Sequence, residues 1–352
     1  MGENAIIPVR IDLTVDINNV EESGLKIIHQ VRPQWKDENI LIKPFTAGIT
    51  NKIIGYNLQS NTSYQMLLIR VYGQSTELFI DRQKEIDNML LLHNAGCAPP
   101  LYAIFNNGLC YGFVVGQPLQ WQQMSDAAVY QLTAKEVAKI HNISTIDQDI
   151  QPVLFDTLEK FLSLVPQSFD DPIKNQKFKT QCPNKSALIE EVKMLQDVLL
   201  KHDAPIVYCH NDLLCQNIVY NKQNESVTFI DYEYGGFNYA PYDIADHFCE
   251  FAGVDEVDYN RYPQKEFQLQ WLSIYLQERA KLAGKDETIT QSQIYQLYVQ
   301  VNQFALASHY LWGIWSLIQA KNSLIDFDFL QYGITRFNEY YSKKALFLSL
   351  AS

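Results

Sequence analysis

Two short segments of this chain carry side chains suited to moving a phosphoryl group. The first is His210-Asn211-Asp212-Leu213-Leu214-Cys215-Gln216-Asn217, directly after the apolar run Ile206-Val207-Tyr208. The second is Asp231-Tyr232-Glu233-Tyr234, at the end of the next apolar run. Transfer from a nucleotide needs one carboxylate to orient and deprotonate the attacking hydroxyl. It also needs hard oxygen donors, an amide and a carboxylate, to hold Mg2+ against the phosphates. Asp212 sits in a loop, where it can reach a substrate. Asn217 follows five residues later, and Asp231 lies at a strand end. A lone His-x-Asp in a loop is usually structural, but the whole His-x-Asp-x4-Asn with a downstream Asp is the pattern of kinase-like phosphotransferases. No Gly-x4-Gly-Lys-Ser/Thr is present, so a P-loop enzyme is not supported.

The elements that must position these residues fall into two groups. The first 115 residues mix signals. Helical runs are expected from Gly24 to Val31 and from Asp81 to Asn94, and β-rich runs at 41–45, 52–58, 64–72, 101–105 and 110–114. Asn106-Asn107-Gly108 supplies a hairpin turn. After Gly116 the character changes. Helices are expected at 125–141, with Ser125 as N-cap, and at 156–165 and 185–201, with a polar loop from Phe169 to Asn184. A β-rich core at 205–209, 218–220 and 227–230 follows, and the remainder reads as helical and aromatic. The expected division is a small β-rich lobe over 1–115 and a larger, mainly helical lobe over 116–352; the N-terminal 35 residues fit either a lobe-capping helix or a mobile arm.

With 352 residues and 47% hydrophobic content the chain can bury a sizeable core. Its formal charge of -12 argues against phosphate-backbone binding, so no nucleic-acid partner is expected. The six cysteines show no CxxC spacing and read as reduced thiols. The longest apolar stretch, 301–320, holds Asn302, Gln303, Ser308, His309 and Gln319, too many polar groups for a membrane span. The N-terminus lacks a signal-peptide pattern. A cytoplasmic protein without stable membrane insertion is the expectation.

The segment from Asn211 to Val254 resembles the choline/ethanolamine kinase family, and the order of elements agrees across nearly the whole chain. Ile230-Asp231-Tyr232-Glu233-Tyr234 looks like the family's signature after its catalytic loop. Tyr242-Asp243-Ile244-Ala245-Asp246-His247-Phe248-Cys249-Glu250-Phe251 continues it, and Ser308-His309-Tyr310-Leu311-Trp312-Gly313-Ile314-Trp315-Ser316 closes it. The resemblance implies an α+β, protein-kinase-like two-lobed fold with ATP between the lobes and Mg2+ as cofactor. Asp212 would be the catalytic base, and Asn217 and Asp231 the Mg2+ ligands. Glu233 would support the metal shell beside the substrate, and His210 would brace the catalytic loop. The loop Phe45 to Lys52 matches the family's own phosphate loop in position, which implicates Gly48, Thr50 and Asn51. Arg70 takes the place of the strand lysine of protein kinases, with Glu85 as its ion-pair partner. Tyr111 to Val115, with Phe113 between them, would be the hinge that offers backbone groups to adenine.

An amino-alcohol acceptor is a cation with a hydroxyl, and its site needs a carboxylate or aromatic faces. Glu250, Trp312, Trp315 and Tyr332 are the candidates; the two tryptophans, spaced i and i+3, share one helix face. Core packing would be the ordinary reading of such a pair, and the family resemblance outweighs it. After Glu250 the chain reads Phe251-Ala252-Gly253-Val254, similar to the ethanolamine kinase branch, where choline kinases carry tyrosines. A primary ammonium has N–H donors and suits carboxylate and carbonyl acceptors better than an aromatic cage. The resemblance therefore implies ATP-dependent phosphorylation of ethanolamine, the first step of the CDP-ethanolamine route to phosphatidylethanolamine. The alternatives are a choline-preferring or dual-specificity kinase of the same fold and a non-catalytic kinase-like binding module. The last would lack one of Asp212, Asn217 or Asp231. Family analogy leaves room for a homodimer.

Overall fold

The computed structural model describes residues 7–45, 52–60, 65–73, 81–144, 150–285 and 288–351. The chain divides into two compact units, Met1–Gln117 with Val219–Glu233, and Pro118–Ile218 with Tyr234–Ser352. A single cut at 115/116 does not assign the segment 219–233 to the first unit.

The first unit contains β1 (Val9–Ile11), α1 (Val20–Val31), β2 (Ile40–Phe45), β3 (Lys52–Leu58), β4 (Leu67–Val71), α2 (Arg82–Asn94), β5 (Leu101–Phe105) and β6 (Gly108–Gly112). Six strands form one sheet in the order β1-β5-β6-β4-β3-β2, with β1 parallel to β5 and the other pairs antiparallel. Successive side chains on β4 point to opposite faces. Leu67, Ile69 and Val71 join Ile27 and Ile28 of α1 and Tyr56 of β3 in one core. On the other side Ile86 of α2 packs with Leu101 of β5 and Leu109 of β6. Arg70 is thereby turned, fully buried, toward the α2 side. The Asn106-Asn107 turn is two residues long, so β6 begins at Gly108 rather than at the expected Cys110. The Asn107 amide pairs with the backbone of Val15 in both directions, at 2.9 and 2.8 Å, and ties down the N-terminal segment. That segment supplies both an edge strand and a capping helix.

Short strands β7 (Gln117–Pro118), β9 (Ile218–Asn221) and β10 (Ser226–Phe229) form a sheet in the order β10-β9-β7. The second unit has α3 (Ala127–Ile140), α4 (Leu154–Leu164), α5 (Pro172–Gln181), α6 (Lys185–Leu199) and β8 (Ile206–Cys209). It continues with β11 (Gly236–Tyr239), α7 (Ala240–Cys249), α8 (Lys265–Leu282), α9 (Gln291–Asn322) and α10 (Phe329–Leu348). β8 and β11 pair antiparallel. α9, 32 residues long, is buried through most of its length, and every residue of α7 is buried.

Two local expectations are corrected. Residues 169–184 are not one loop: α5 occupies their middle, because Asp171 caps the N–H of Lys174 at 2.6 Å and Pro172 starts the helix. Its sequence hid this by being polar nearly all round, with Phe178 alone buried. Asp126, not Ser125, occupies the N-cap of α3, and it makes no side-chain capping bond.

Gly24 faces the buried Tyr56, whose hydroxyl donates to Val20 O at 2.9 Å and Glu21 O at 3.1 Å. A β-carbon at Gly24 would collide with that hydroxyl. Helix propensity alone predicts that Gly24→Ala gains about 1 kcal/mol. The collision should reverse the sign and cost about 1–3 kcal/mol in urea denaturation. A stabilised variant would contradict this packing.

Candidate active site

The catalytic-loop candidates owe their placement to α7. Asp243, Asp246 and His247 occupy i, i+3 and i+4 of that helix and so share one face. Asp243 accepts from the backbone N–H of His210 at 3.0 Å and of Asn211 at 2.7 Å. Asp246 accepts from the N–H of Leu213 at 3.2 Å. His247 Nδ1 meets Leu213 O at 3.0 Å, which makes Nδ1 the protonated nitrogen. Four backbone groups of the loop 210–213 are thus fixed by one helix. Asn211 lies in the left-handed region at φ 65°. Its side chain donates to Tyr234 O at 3.0 Å and accepts from Asn238 Nδ2 at 2.8 Å. A non-glycine residue there costs about 1 kcal/mol or more, which these bonds offset.

Asp243 is the end of a buried relay. Arg279 donates to the Tyr275 hydroxyl at 3.1 Å, Tyr275 lies 2.8 Å from His141 Nδ1, and His141 Nε2 lies 2.9 Å from Asp243. Read in one direction, each group donates to the next, so His141 is neutral with its proton on Nε2. Burial holds its pKa below the ordinary value, against the pull of Asp243. Burial pushes Asp243 up, but the donors His141, His210 and Asn211 outweigh it and keep the carboxyl below its usual range. Cys209 completes a triad of possible metal donors with His141 and Asp243. Burial raises its thiol well above normal, and both Asp243 oxygens already receive N–H donors, so this is a hydrogen-bond node.

With the backbone held, Asn217 Nδ2 donates to Asp212 O at 2.8 Å and lies 3.4 Å from the Asp212 carboxylate. Committing the nitrogen to Asp212 leaves the Asn217 amide oxygen as a hard donor. Around the same unit, Glu250 ends α7 as its C-cap and pairs with Arg336 of α10 at 2.7 Å; both are buried. Trp312 Nε1 and Ser308 Oγ of α9 donate to Asp246 Oδ1 at 2.7 and 2.9 Å. Burial and the neighbouring Glu250 push Asp246 up to about 7, against these donors and the Arg336 charge. Trp315 Nε1 donates to Tyr234 OH at 3.0 Å, and the Trp312 ring packs edge-on against Tyr234 at 5.3 Å and Trp315 at 5.4 Å. The Arg336 guanidinium lies 5.5 Å from the Tyr332 ring. Burial raises the Tyr332 hydroxyl well above its ordinary pKa, and the charges of Glu250 and Asp212 act in the same sense. Asp212, Glu250, Trp312, Trp315 and Tyr332 therefore belong to one neighbourhood. Glu250 is not a lone carboxylate there, since its charge is balanced by Arg336. Trp312 is buried, while Trp315, Tyr332 and Tyr234 are half-buried and offer ring surface.

In the first unit Arg70 forms an ion pair with Glu85, which also receives Arg82 at 3.1 Å. Arg70 Nη1 lies 3.5 Å from Asp231 Oδ1. Burial works against the Arg70 charge, but Tyr111, Asp231 and Glu233 outweigh it and raise the pKa. Glu233 is thus set beside Arg70. Asp231 has φ 64°, and its buried Oδ1 accepts no hydrogen bond among the described residues, Arg70 meeting it as an ion pair only. Such an oxygen fits a cation ligand. Tyr111 lies on β6, and the N–H groups of Gly112 and Phe113 are spent on Pro100 O and Met66 O, both at 3.0 Å. Gly48, Thr50 and Asn51 lie outside the described residues.

Sequence reasoning missed Asp243, Asp246, Arg336 and the His141–Tyr275–Arg279 chain. A signal existed for three of them: charged residues at apolar-face spacing, in Tyr-Asp-Ile-Ala-Asp-His and in Ile-Thr-Arg-Phe, are buried ions awaiting partners.

A two-unit fold with such a loop is that of the protein-kinase-like phosphotransferases. An ethanolamine kinase structure from Plasmodium vivax superposes with TM-score 0.78 at 28% identity, over 92% of this chain and 89% of that one. The choline/ethanolamine kinase family profile matches residues 42–341. A probable ethanolamine kinase of Nematostella vectensis is 48% identical over 337 residues, 96% of this chain and 97% of the relative. Ethanolamine kinase 1 of Homo sapiens is 45% identical, over 92% of this chain and 72% of the relative. The chain belongs to the choline/ethanolamine kinase family.

Burial lowers His247 to about 4, the Leu213 carbonyl opposing. A depressed pKa gives stability that is full above the unfolded value of about 6.5 and lost as pH falls toward 4. Asp246 acts in the opposite sense, gaining stability as pH falls, so a difference measurement is needed. The stability gap between wild type and His247→Phe in urea should narrow by about 2 kcal/mol from pH 7 to pH 5. A gap independent of pH would mean that the folded ring titrates normally.

Proposed function

We propose that this chain transfers the γ-phosphoryl group of ATP to the hydroxyl of ethanolamine, giving phosphoethanolamine and ADP in the cytoplasm. The observation that carries this is the convergence, in one unit, of a rigidly held Asp212 with the aromatic and Glu250–Arg336 neighbourhood. Read as a base and a cation-recognising surface, these groups would meet the hydroxyl and the ammonium of an amino alcohol. The ethanolamine kinase names of the relatives support the choice of acceptor.

Asp212 orients the acceptor hydroxyl and takes its proton as the oxygen attacks the γ-phosphorus and ADP leaves. Asn217 through its amide oxygen and Asp231 through its carboxylate would hold Mg2+, which would supply charge neutralisation for the phosphates. Arg70, held by Glu85, adds a fixed cation for the same phosphates, with Glu233 beside it; Gly48, Thr50 and Asn51 are assigned to the phosphate loop. Backbone donors for adenine fall to Val114 and Val115, since Phe113 has spent its own N–H. Tyr234, Trp315 and Tyr332 present ring faces to the ammonium, backed by Trp312, and Glu250 adds its carboxylate. Such faces also suit a trimethylammonium, so choline is the competitor to test.

Asp212→Ala should lower kcat about 10²–10⁴-fold while the Kd for Mg-ATP changes less than about threefold. ADP release and calorimetry check the two halves, and a fully active variant would sink the mechanism. Ethanolamine should exceed choline in kcat/KM by more than about tenfold, or ~1.4 kcal/mol. Equal values would make the enzyme a dual-specificity kinase.

A further inference from the structure

The loop after Glu250 is clamped across its middle by a guanidinium. Gly253 turns the chain at φ 81° and ψ 167°, open only to glycine, and the N–H of Asp258 closes the loop base on Ala252 O at 3.0 Å. Arg261, from the 3-10 turn Tyr259–Arg261, reaches back across it. Its Nη1 donates to Ala252 O at 3.0 Å and to Glu256 O at 2.9 Å, and its Nε lies 3.8 Å from the Asp258 carboxylate. The guanidinium lies 3.7 Å above the ring of Trp121, in the 3-10 turn Trp121–Gln123. A β-carbon on Gly253 would sit 3.4 Å from Arg261 Nη1, so the loop backbone is packed onto the cation. Two carbonyl oxygens and an aromatic face all present negative ends to it, and a planar fork satisfies them together.

This clamp bears on the acceptor neighbourhood through the turn it holds. Ala252 is the last residue of the 3-10 turn that Glu250 begins. Arg336 fixes the Glu250 end and also approaches the Tyr259 hydroxyl, at 3.5 Å, in the turn that carries Arg261. Arg336 thus ties the loop at its ends, and Arg261 ties it through the middle. We propose that Arg261, stacked on Trp121, is a positioning residue for the acceptor: it holds the Ala252-Gly253 loop closed, and so sets Glu250 for a primary ammonium in preference to a trimethylammonium. This rests on the amino-alcohol kinase reading above.

The test is steady-state kinetics with both acceptors at saturating Mg-ATP. Arg261→Leu should raise the ethanolamine KM about tenfold with kcat changed less than about twofold, and shrink the ethanolamine/choline ratio of kcat/KM by about fivefold. Arg261→Lys, which keeps the charge but not the fork, should recover part of the KM. Trp121→Phe should behave as wild type and Trp121→Ala as Arg261→Leu; the Trp121 pair decides the matter if Arg261→Leu does not fold. An unchanged KM and ratio in Arg261→Leu and Trp121→Ala overturns the proposal, as does a loss confined to kcat. A wild type inactive on both amino alcohols overturns the kinase reading and this proposal with it. An active wild type whose variants ignore the clamp overturns this proposal alone.

Discussion

One buried carboxylate sets the geometry of the candidate catalytic loop. Asp243 takes the backbone N–H groups of His210 and Asn211 and the ring of His141, and it does so out of contact with water. An ion buried in this way is costly unless its lone pairs are filled, and removing a partner typically costs several kcal/mol. The loop is therefore held in an arrangement in which Asn211 accepts a left-handed backbone. The backbone on either side of Asp212 is thus held by the helix beneath it, and Asn217 adds a bond to Asp212 itself.

The same economy governs the positive charges. The chain has seven arginines. Arg70 holds Glu85, Arg261 clamps the loop after Glu250, Arg279 starts the relay to Asp243, and Arg336 balances Glu250. Arg70, Arg261 and Arg336 each meet more than one acceptor, which the planar fork of a guanidinium suits better than an ammonium. The lysines that form ion pairs do so at more exposed positions, where such pairs contribute little.

What the sequence disclosed follows from what each feature depends on. The strands at 52–58 and 101–105 were readable because alternation and turn residues are local. The catalytic loop was readable because its chemistry fixes both residue type and spacing. α5 was not, since a polar helix with one buried residue has no apolar stripe, and its start is marked only by Asp171-Pro172. β1 was not, because three residues at a sheet edge depend on β5, far along the chain, for their pairing. At the candidate site, the spacing of Asp212, Asn217 and Asp231 is a pattern that can be read locally, whereas Asp243 and Arg336 act through partners distant in sequence. The pairing of Glu250 with Arg336 turns a seemingly free carboxylate into half of a neutral pair, a change that no local pattern announces.

The segment 219–233 belongs with residues 1–117, so the first unit is written in two pieces with part of the second between them. On the ribosome the six-stranded sheet can gather early, but Arg70 must wait for Asp231 to emerge from a chain of 352 residues before its surroundings are complete. Glu85 supplies the first counter-charge from within the early stretch, and Asp231 adds the second. The first unit is therefore expected to pair Arg70 with Glu85 early and to complete the surroundings of that guanidinium only once residues 219–233 have been made. For the same reason a fragment ending near residue 117 would hold all six strands of the sheet and the Arg70–Glu85 pair but not Asp231.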